Sequence, residues 1–179
     1  MDYILVVDSN TDLPKPYVDS NNVGQIYFSY NYKGKEYLDD FGATLNHKEF
    51  YNSIKNGEMP TTSLVPILSY EREFRKHVEK GLAVVYISFS SALSGSYNSA
   101  CIAANNIKEE RPSADITIVD TLAASLGEGL LVRYLIDLFN AGATKEEILE
   151  AAGVAVMMQG GPGYVHLPLI IKALEANGL

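Results

Sequence analysis

The sequence predicts an α/β fold: a mostly parallel sheet with helices on both faces and a β-hairpin insertion. Three observations carry this. Short apolar runs stop abruptly at polar clusters, as buried parallel strands do. Capped helical patterns lie between those runs, and strands alternating with helices favour parallel pairing. One segment instead alternates aromatic and polar residues about a Lys-Gly pair, which is a hairpin signal.

The runs are Tyr3 to Val7, Leu82 to Phe89 and Ile116 to Val119. The hairpin is QIYFSYNYKGKEYLDD, turning at Lys33-Gly34. It is expected to pack over one edge of the sheet rather than to form an aromatic ligand cage. Asn46 with Glu49 resembles a capping box ahead of FYNSI. Ser63 is expected to cap a helix over about 65–79, and Ser94 to Ser96 to open one running through YNSACIAANNIKEE. Leu130 to Asn140 has helical spacing and stops at Ala141-Gly142; Thr144 with Glu147 opens a short helix near 145–151. From Ala151 the texture changes. GVAVMM reads as a fourth short strand, QGGPG as a loop, and Pro168 to Asn177 as a helix. The expected organisation is one α/β domain over 1–150 and a divergent or truncated tail, 151–179, packing on it.

The chain of 179 residues can bury roughly 70% of its unfolded surface, enough for one core. Fourteen basic residues against twenty-two acidic ones give a net charge of -8, with no basic block. That excludes the electrostatic footprint of a nucleic-acid or anionic-membrane binder. The single cysteine, Cys101, allows no intramolecular disulfide and no multi-cysteine zinc site, so no metal is expected. MDYILVVDSNTDLP has no basic leader and an apolar run too short to span a membrane. The expectation is a cytoplasmic protein.

The most informative segment is SFSSALSGSYNSA, Ser88 to Ala100. It follows an apolar strand and precedes a helix, the place where α/β sheets bind ligands. Serine hydroxyls beside the unsatisfied N–H groups of a helix start suit a carboxylate or phosphate. Each serine alone is more economically a cap or turn residue. PTTSLVP, Pro60 to Pro66, puts three more hydroxyl residues before another helix start, and two such starts could converge on one anion. Asp8-Ser9 with Asp12, and Asp120-Thr121 with Ser125, also follow strands; the structural reading, capping of the next turn, is preferred for both.

VVDSNTDLP, PTTS, SSALSGSYNSA and IVDTLAASLGEG, in this order and spacing over roughly residues 3 to 150, resemble the DegV family of fatty-acid-binding proteins, which includes the lipid-binding subunits of bacterial fatty-acid kinase. The resemblance implies two α/β domains with an acyl chain between them. It implies that Thr62 and Ser94 bond the carboxylate of a long-chain fatty acid such as palmitate, with Ser63, Gly95 and Ser96 beside them. It also implies a kinase partner that phosphorylates the presented head group, no cofactor beyond the lipid, and no chemistry by the chain itself. The sequence departs from the family in three places. Leu64 stands where glutamine is usual, Ser96 stands where threonine is usual, and Gly160-Gly161 runs into Pro162 rather than arginine. An open apolar groove in such a chain would favour association with a second copy.

Two other classes compete. A serine-dependent acyl hydrolase needs a base for Ser94, but Ser94 lies in S-G-S rather than G-x-S-x-G. His47 and His77 fall in polar helical contexts typical of solvated surfaces, and His166 would need the tail to fold back. A phosphotransferase lacks both a histidine at a strand end and a nucleotide loop with lysine. A truncated family member with only an interaction role is the remaining alternative.

Overall fold

The computed structural model describes residues 2–158. It contains two sheets. The larger is built from β1 (Tyr3–Asp8), β2 (Gly24–Ile26), β6 (Ala83–Ser88) and β7 (Ile116–Asp120), all parallel, in the order β2-β1-β6-β7. The smaller is antiparallel, β4-β3-β5, from β3 (Ser29–Tyr32), β4 (Lys35–Leu38) and β5 (Thr61–Ser63). The helices are α1 (Lys15–Ser20), α2 (His47–Lys55), α3 (Ile67–Val78), α4 (Ser96–Glu110), α5 (Leu126–Asn140) and α6 (Lys145–Met158).

The apolar run at the start of the chain is unbroken because both faces of β1 are covered. Ile4 and Val6 face one way, with Val84 and Tyr86 of β6, against Tyr70 and Phe74 of α3 and Ala100 and Ala103 of α4. Leu5 and Val7 face the other way, with Val85 and Ile87, against Val132, Leu135 and Ile136 of α5 and Ile148 of α6. Period-two alternation in two adjacent strands therefore creates two cores, one under each helical layer.

The hairpin forms where the sequence places it. Lys33 and Gly34 both take positive φ, 50° and 73°, as a two-residue turn of matching twist requires. It gains a third strand, because Thr61–Ser63 pairs with β3 instead of capping a helix: Tyr30 stands opposite Thr62, and Ser29 opposite Ser63. The expectation that Ser63 caps a helix from residue 65 is thus corrected. Pro66 holds the residue before it out of the helical region, so the helix cannot start until Ile67.

A second correction concerns GVAVMM, which is not a strand but the last turns of α6. The Thr144 hydroxyl accepts from Glu147 N–H at 3.2 Å, and the Glu147 carboxylate accepts from Thr144 N–H at 2.8 Å. This box starts the helix, no residue before Met158 stops it, and Ile148 and Ala152, four apart, bury against the sheet. A run of small and apolar residues is ambiguous in period, and tertiary burial decides it. α5 begins at Leu126, four residues before the expected start, and α1 and the edge strand β2 go beyond the sequence reading. The expected loop QGGPG and the helix at Pro168 to Asn177 lie outside the described residues.

α5 rests on the turn after β1 at one contact without slack. A Cβ at Gly129 would lie 2.2 Å from the Thr11 carbonyl oxygen, whereas one at Gly153 would meet nothing within 4 Å. Gly129→Ala should therefore lower stability by about 3 kcal/mol, and Gly153→Ala should raise it by up to about 1 kcal/mol. Urea denaturation followed by circular dichroism measures both. Equal effects at the two positions would contradict this packing.

Candidate functional site

The carboxyl ends of β1 and β6 meet the small antiparallel sheet across a cleft of about 660 Å³, within the range of small-molecule sites. It is lined by Thr62 and Ser63 from β5 and Ser94 from the loop after β6. Its walls include Leu13, Phe28, Phe41, Leu45, Phe50 and Phe89.

The serine loop is held by its own backbone. Ser90 N–H donates to the Ala123 carbonyl at 3.0 Å and Ser91 N–H to Asp120 Oδ1 at 3.0 Å, fastening the loop to the end of β7. Ser90 Oγ accepts from Ala92 N–H at 3.2 Å. Ser90 and Ser91 thus do the turn work for which serine is common. Ser94 and Ser96 do something else. Ser96 is fully buried, and its Oγ accepts from Val65 N–H at 3.1 Å and from the Ser94 hydroxyl at 3.0 Å. Ser94 Oγ in turn accepts from Ser96 N–H at 3.1 Å. One hydroxyl therefore joins the segment just after β5 to the loop that opens α4.

Of the five residues selected from sequence, Thr62, Ser63 and Ser94 line one cleft. Ser96 lies behind them in the core. Gly95 caps α4 with an ordinary φ of −67°, and a Cβ there would meet only the Leu64 side chain, at 3.7 Å.

The acidic residues after the strands do act as caps, but Asp8 does more. Its carboxylate accepts from Asn10 N–H at 2.9 Å, Phe89 N–H at 3.0 Å and the Tyr86 hydroxyl at 2.9 Å. Tyr86 meets the Tyr70 hydroxyl at 3.3 Å. Behind Asp8 sits Glu128 of α5, fully buried, with no partner within hydrogen-bond distance among the described residues. Burial pushes the Asp8 carboxyl up to about 6, although its hydrogen bonds pull it down. Burial, then the charge on Asp8, pushes Glu128 up to about 10. Two carboxyls in so dry a site hold one proton between them at neutral pH, on Glu128. Sequence reasoning missed Tyr70, Tyr86 and Glu128. The only signals were a tyrosine inside an apolar strand and an acid between two glycines.

The charge lining the cleft is negative. Asp12, Asp39 and Asp40 line it, with His47, and no Lys or Arg does so among the described residues. Burial raises Asp39. His77, expected on a solvated face, is instead buried and paired with Glu73 at 2.8 Å: its position on α3 turns it inward beside Phe74 and Val78. Ser94 Oγ has only Ser96 groups as hydrogen-bond partners, so no histidine among the described residues is in place as its base.

The model of the DegV family, described as an uncharacterised protein family, matches residues 3–155. The chain belongs to the DegV family. A DegV domain-containing protein of Clostridium perfringens is 40% identical over 146 residues, covering 82% of this chain and 50% of the relative. The fold is similar to that of a stearic-acid-binding protein from Eubacterium ventriosum, with a TM-score of 0.76 and 30% identity, covering 84% of this chain and 52% of that one. It is similar also to a fatty-acid-binding DegV family protein from Thermus thermophilus, with a TM-score of 0.75 and 28% identity, covering 88% and 54%. The chain spans about half the length of these DegV relatives.

The buried pair predicts a pH dependence of stability. An acid whose folded value exceeds its unfolded one binds more protons when folded, so the stability it carries is present below the unfolded value and lost as pH rises towards the folded one. For Asp8 that window closes at about 6. For Glu128 it runs from the ordinary carboxyl range to about 10. Thermal midpoints of the wild type should fall between about pH 6 and about pH 9, and Glu128→Gln should flatten that fall. Parallel curves would contradict the assignment.

Proposed function

We propose that this DegV chain binds a long-chain fatty acid such as palmitate, its carboxylate held by Thr62 and Ser94 with Ser63 beside them, and presents that carboxylate to a kinase partner for acyl-phosphate formation. The observation that carries the reading is the cleft itself, lined by hydroxyls from two distant chain segments together with aliphatic and aromatic side chains. The similarity to a stearic-acid-binding protein supports it.

The energetics divide the work. At ~0.8 kcal/mol per buried methylene, a sixteen-carbon tail gains roughly 11–12 kcal/mol before binding entropy and polar desolvation reduce it. Apolar burial sets affinity. The hydroxyls set orientation, because a carboxylate leaving water must recover its hydrogen bonds. The chain performs no covalent step in this reading. The kinase is the part inherited from family resemblance, and a head group held at Thr62 and Ser94 leaves the neighbouring Leu64 and Leu93, both more than half exposed, as the surface such a partner would meet.

Thr62→Ala and Ser94→Ala should each weaken palmitate binding by about 1–3 kcal/mol, roughly 5- to 150-fold. Displacement of a fluorescent acyl probe measures this. Unchanged affinity in both variants would overturn the assigned roles, and ester hydrolysis abolished by Ser94→Ala would favour the hydrolase instead.

A further inference from the structure

The stretch of chain between β4 and β5 is tied to the rest of the fold more loosely than any other part of the cleft. Asp39 N–H donates to the Phe28 carbonyl at 2.8 Å, closing the hairpin. Pairing with β3 resumes only at Thr61. Between these points, among the described residues, every hydrogen bond stays inside the stretch. Thr44 N–H donates to Asp40 Oδ1 at 3.0 Å, Asn46 caps α2 by accepting from Lys48 N–H at 2.9 Å, and Glu58 N–H returns to the Ser53 carbonyl at 3.0 Å. No ion pair among the described residues leaves it either. Ring contacts hold it instead. Phe50 of α2 meets Tyr30 and Tyr32 of β3 at centroid separations of 5.3 and 5.7 Å. Leu45 is buried, but no residue of α2 is. An element with few buried contacts and only local hydrogen bonds opens at low cost.

A pivot lies at each end of α2. Phe41 packs against the core under α5, and Gly42 after it takes a φ of 79°. Asn56 ends α2, and Gly57 after it takes a φ of 99°. Glycine adopts both angles without strain. A Cβ at Gly42 would lie 2.8 Å from His47 Nε2, so the first turn of α2 folds down onto this pivot. A Cβ at Gly57 would meet nothing within 4 Å, so there the angle alone calls for glycine.

This loosely held helix forms part of the cleft. His47, Phe50 and Tyr51 of α2 line it, with Gly42 and Leu45 from the turn before. The rest of the lining comes from β3, β5 and the turns after β1 and β6, all of which belong to the hydrogen-bonded sheets or are fastened to them. We propose that residues 43–56, carrying α2, form a lid that swings on Gly42 and Gly57 and gates the passage of an acyl chain into and out of the cleft. Lifting the lid parts Phe50 from Tyr30 and Tyr32 and breaks no hydrogen bond to the body of the fold. Closing it returns Phe50 and Tyr51 to the lining, against the tail. This deepens the fatty-acid reading above and rests on it.

Stopped-flow fluorescence with a dansyl-labelled undecanoic acid and the full chain tests the gate. In the wild type the observed association rate should rise with probe concentration and then level off at the rate of lid opening. Gly57 does not line the cleft, so its replacement touches no ligand. Gly57→Ala strains the closed pivot and should raise both the plateau and the dissociation rate by about two- to fivefold. Gly34→Ala is the control: its φ of 73° is also positive and its Cβ would also meet nothing, but it lies in the hairpin turn and should leave both rates unchanged. An association rate that stays linear in probe concentration overturns the gate and leaves fatty-acid binding standing. A plateau that Gly57→Ala does not raise, or that Gly34→Ala raises equally, overturns α2 as the moving part. No saturable binding of the probe sinks the fatty-acid reading, and the gate with it.

Discussion

The Ser96 hydroxyl is the joint on which the site depends. It takes one hydrogen bond from Val65 N–H and another from the Ser94 hydroxyl. Thirty-one residues of chain separate Val65 from Ser96. β5 can present Thr62 and Ser63 to the cleft because β3 pairs with the strand itself and Ser96 anchors Val65, two residues beyond its end. A buried hydroxyl replaced by a methyl group here would leave a backbone donor unpaired, which costs more than the bond itself contributes. Ser96 holds Ser94 and the segment after β5 in place, and Thr62, Ser63 and Ser94 line the cleft.

A second set of hydrogen bonds closes the end of the parallel sheet. Asp8 closes β1 by accepting from the turn after that strand and from the chain leaving β6. An ionised carboxylate in that place is tolerable because three donors surround it, and a second carboxyl beside it is tolerable because it stays protonated. The parallel sheet thus ends in an electrostatic arrangement rather than an apolar seal. That arrangement borders the cleft, because Phe89, whose N–H Asp8 accepts, also lines it.

Much of this is legible in the sequence. The three buried strands announce themselves by continuous apolar runs, the hairpin by Lys33-Gly34, and α6 by Thr144 and Glu147. Thr62, Ser63 and Ser94 can be chosen from motif and position, and they do share a cleft. The rest is hidden for physical reasons. TTS reads equally well as a cap or a strand until β3 is there to pair with it, and GVAVMM is periodic in neither sense until a sheet covers Ile148 and Ala152. Tyr70, Tyr86 and Glu128 come from three elements and share no sequence spacing, so only packing shows that they gather around Asp8. His77 reads as solvated because its neighbours in sequence are charged, although the helix turns it inward.

The central claim is a direction: head group at the hydroxyls, tail along the apolar walls. A crystal structure of the chain with palmitate tests it directly. The carboxylate oxygens should lie about 2.5–3.0 Å from Thr62 Oγ1 and Ser94 Oγ, with the methylenes passing between Phe28, Phe41 and Phe89. A tail packed against the serine loop with the carboxylate elsewhere would contradict it.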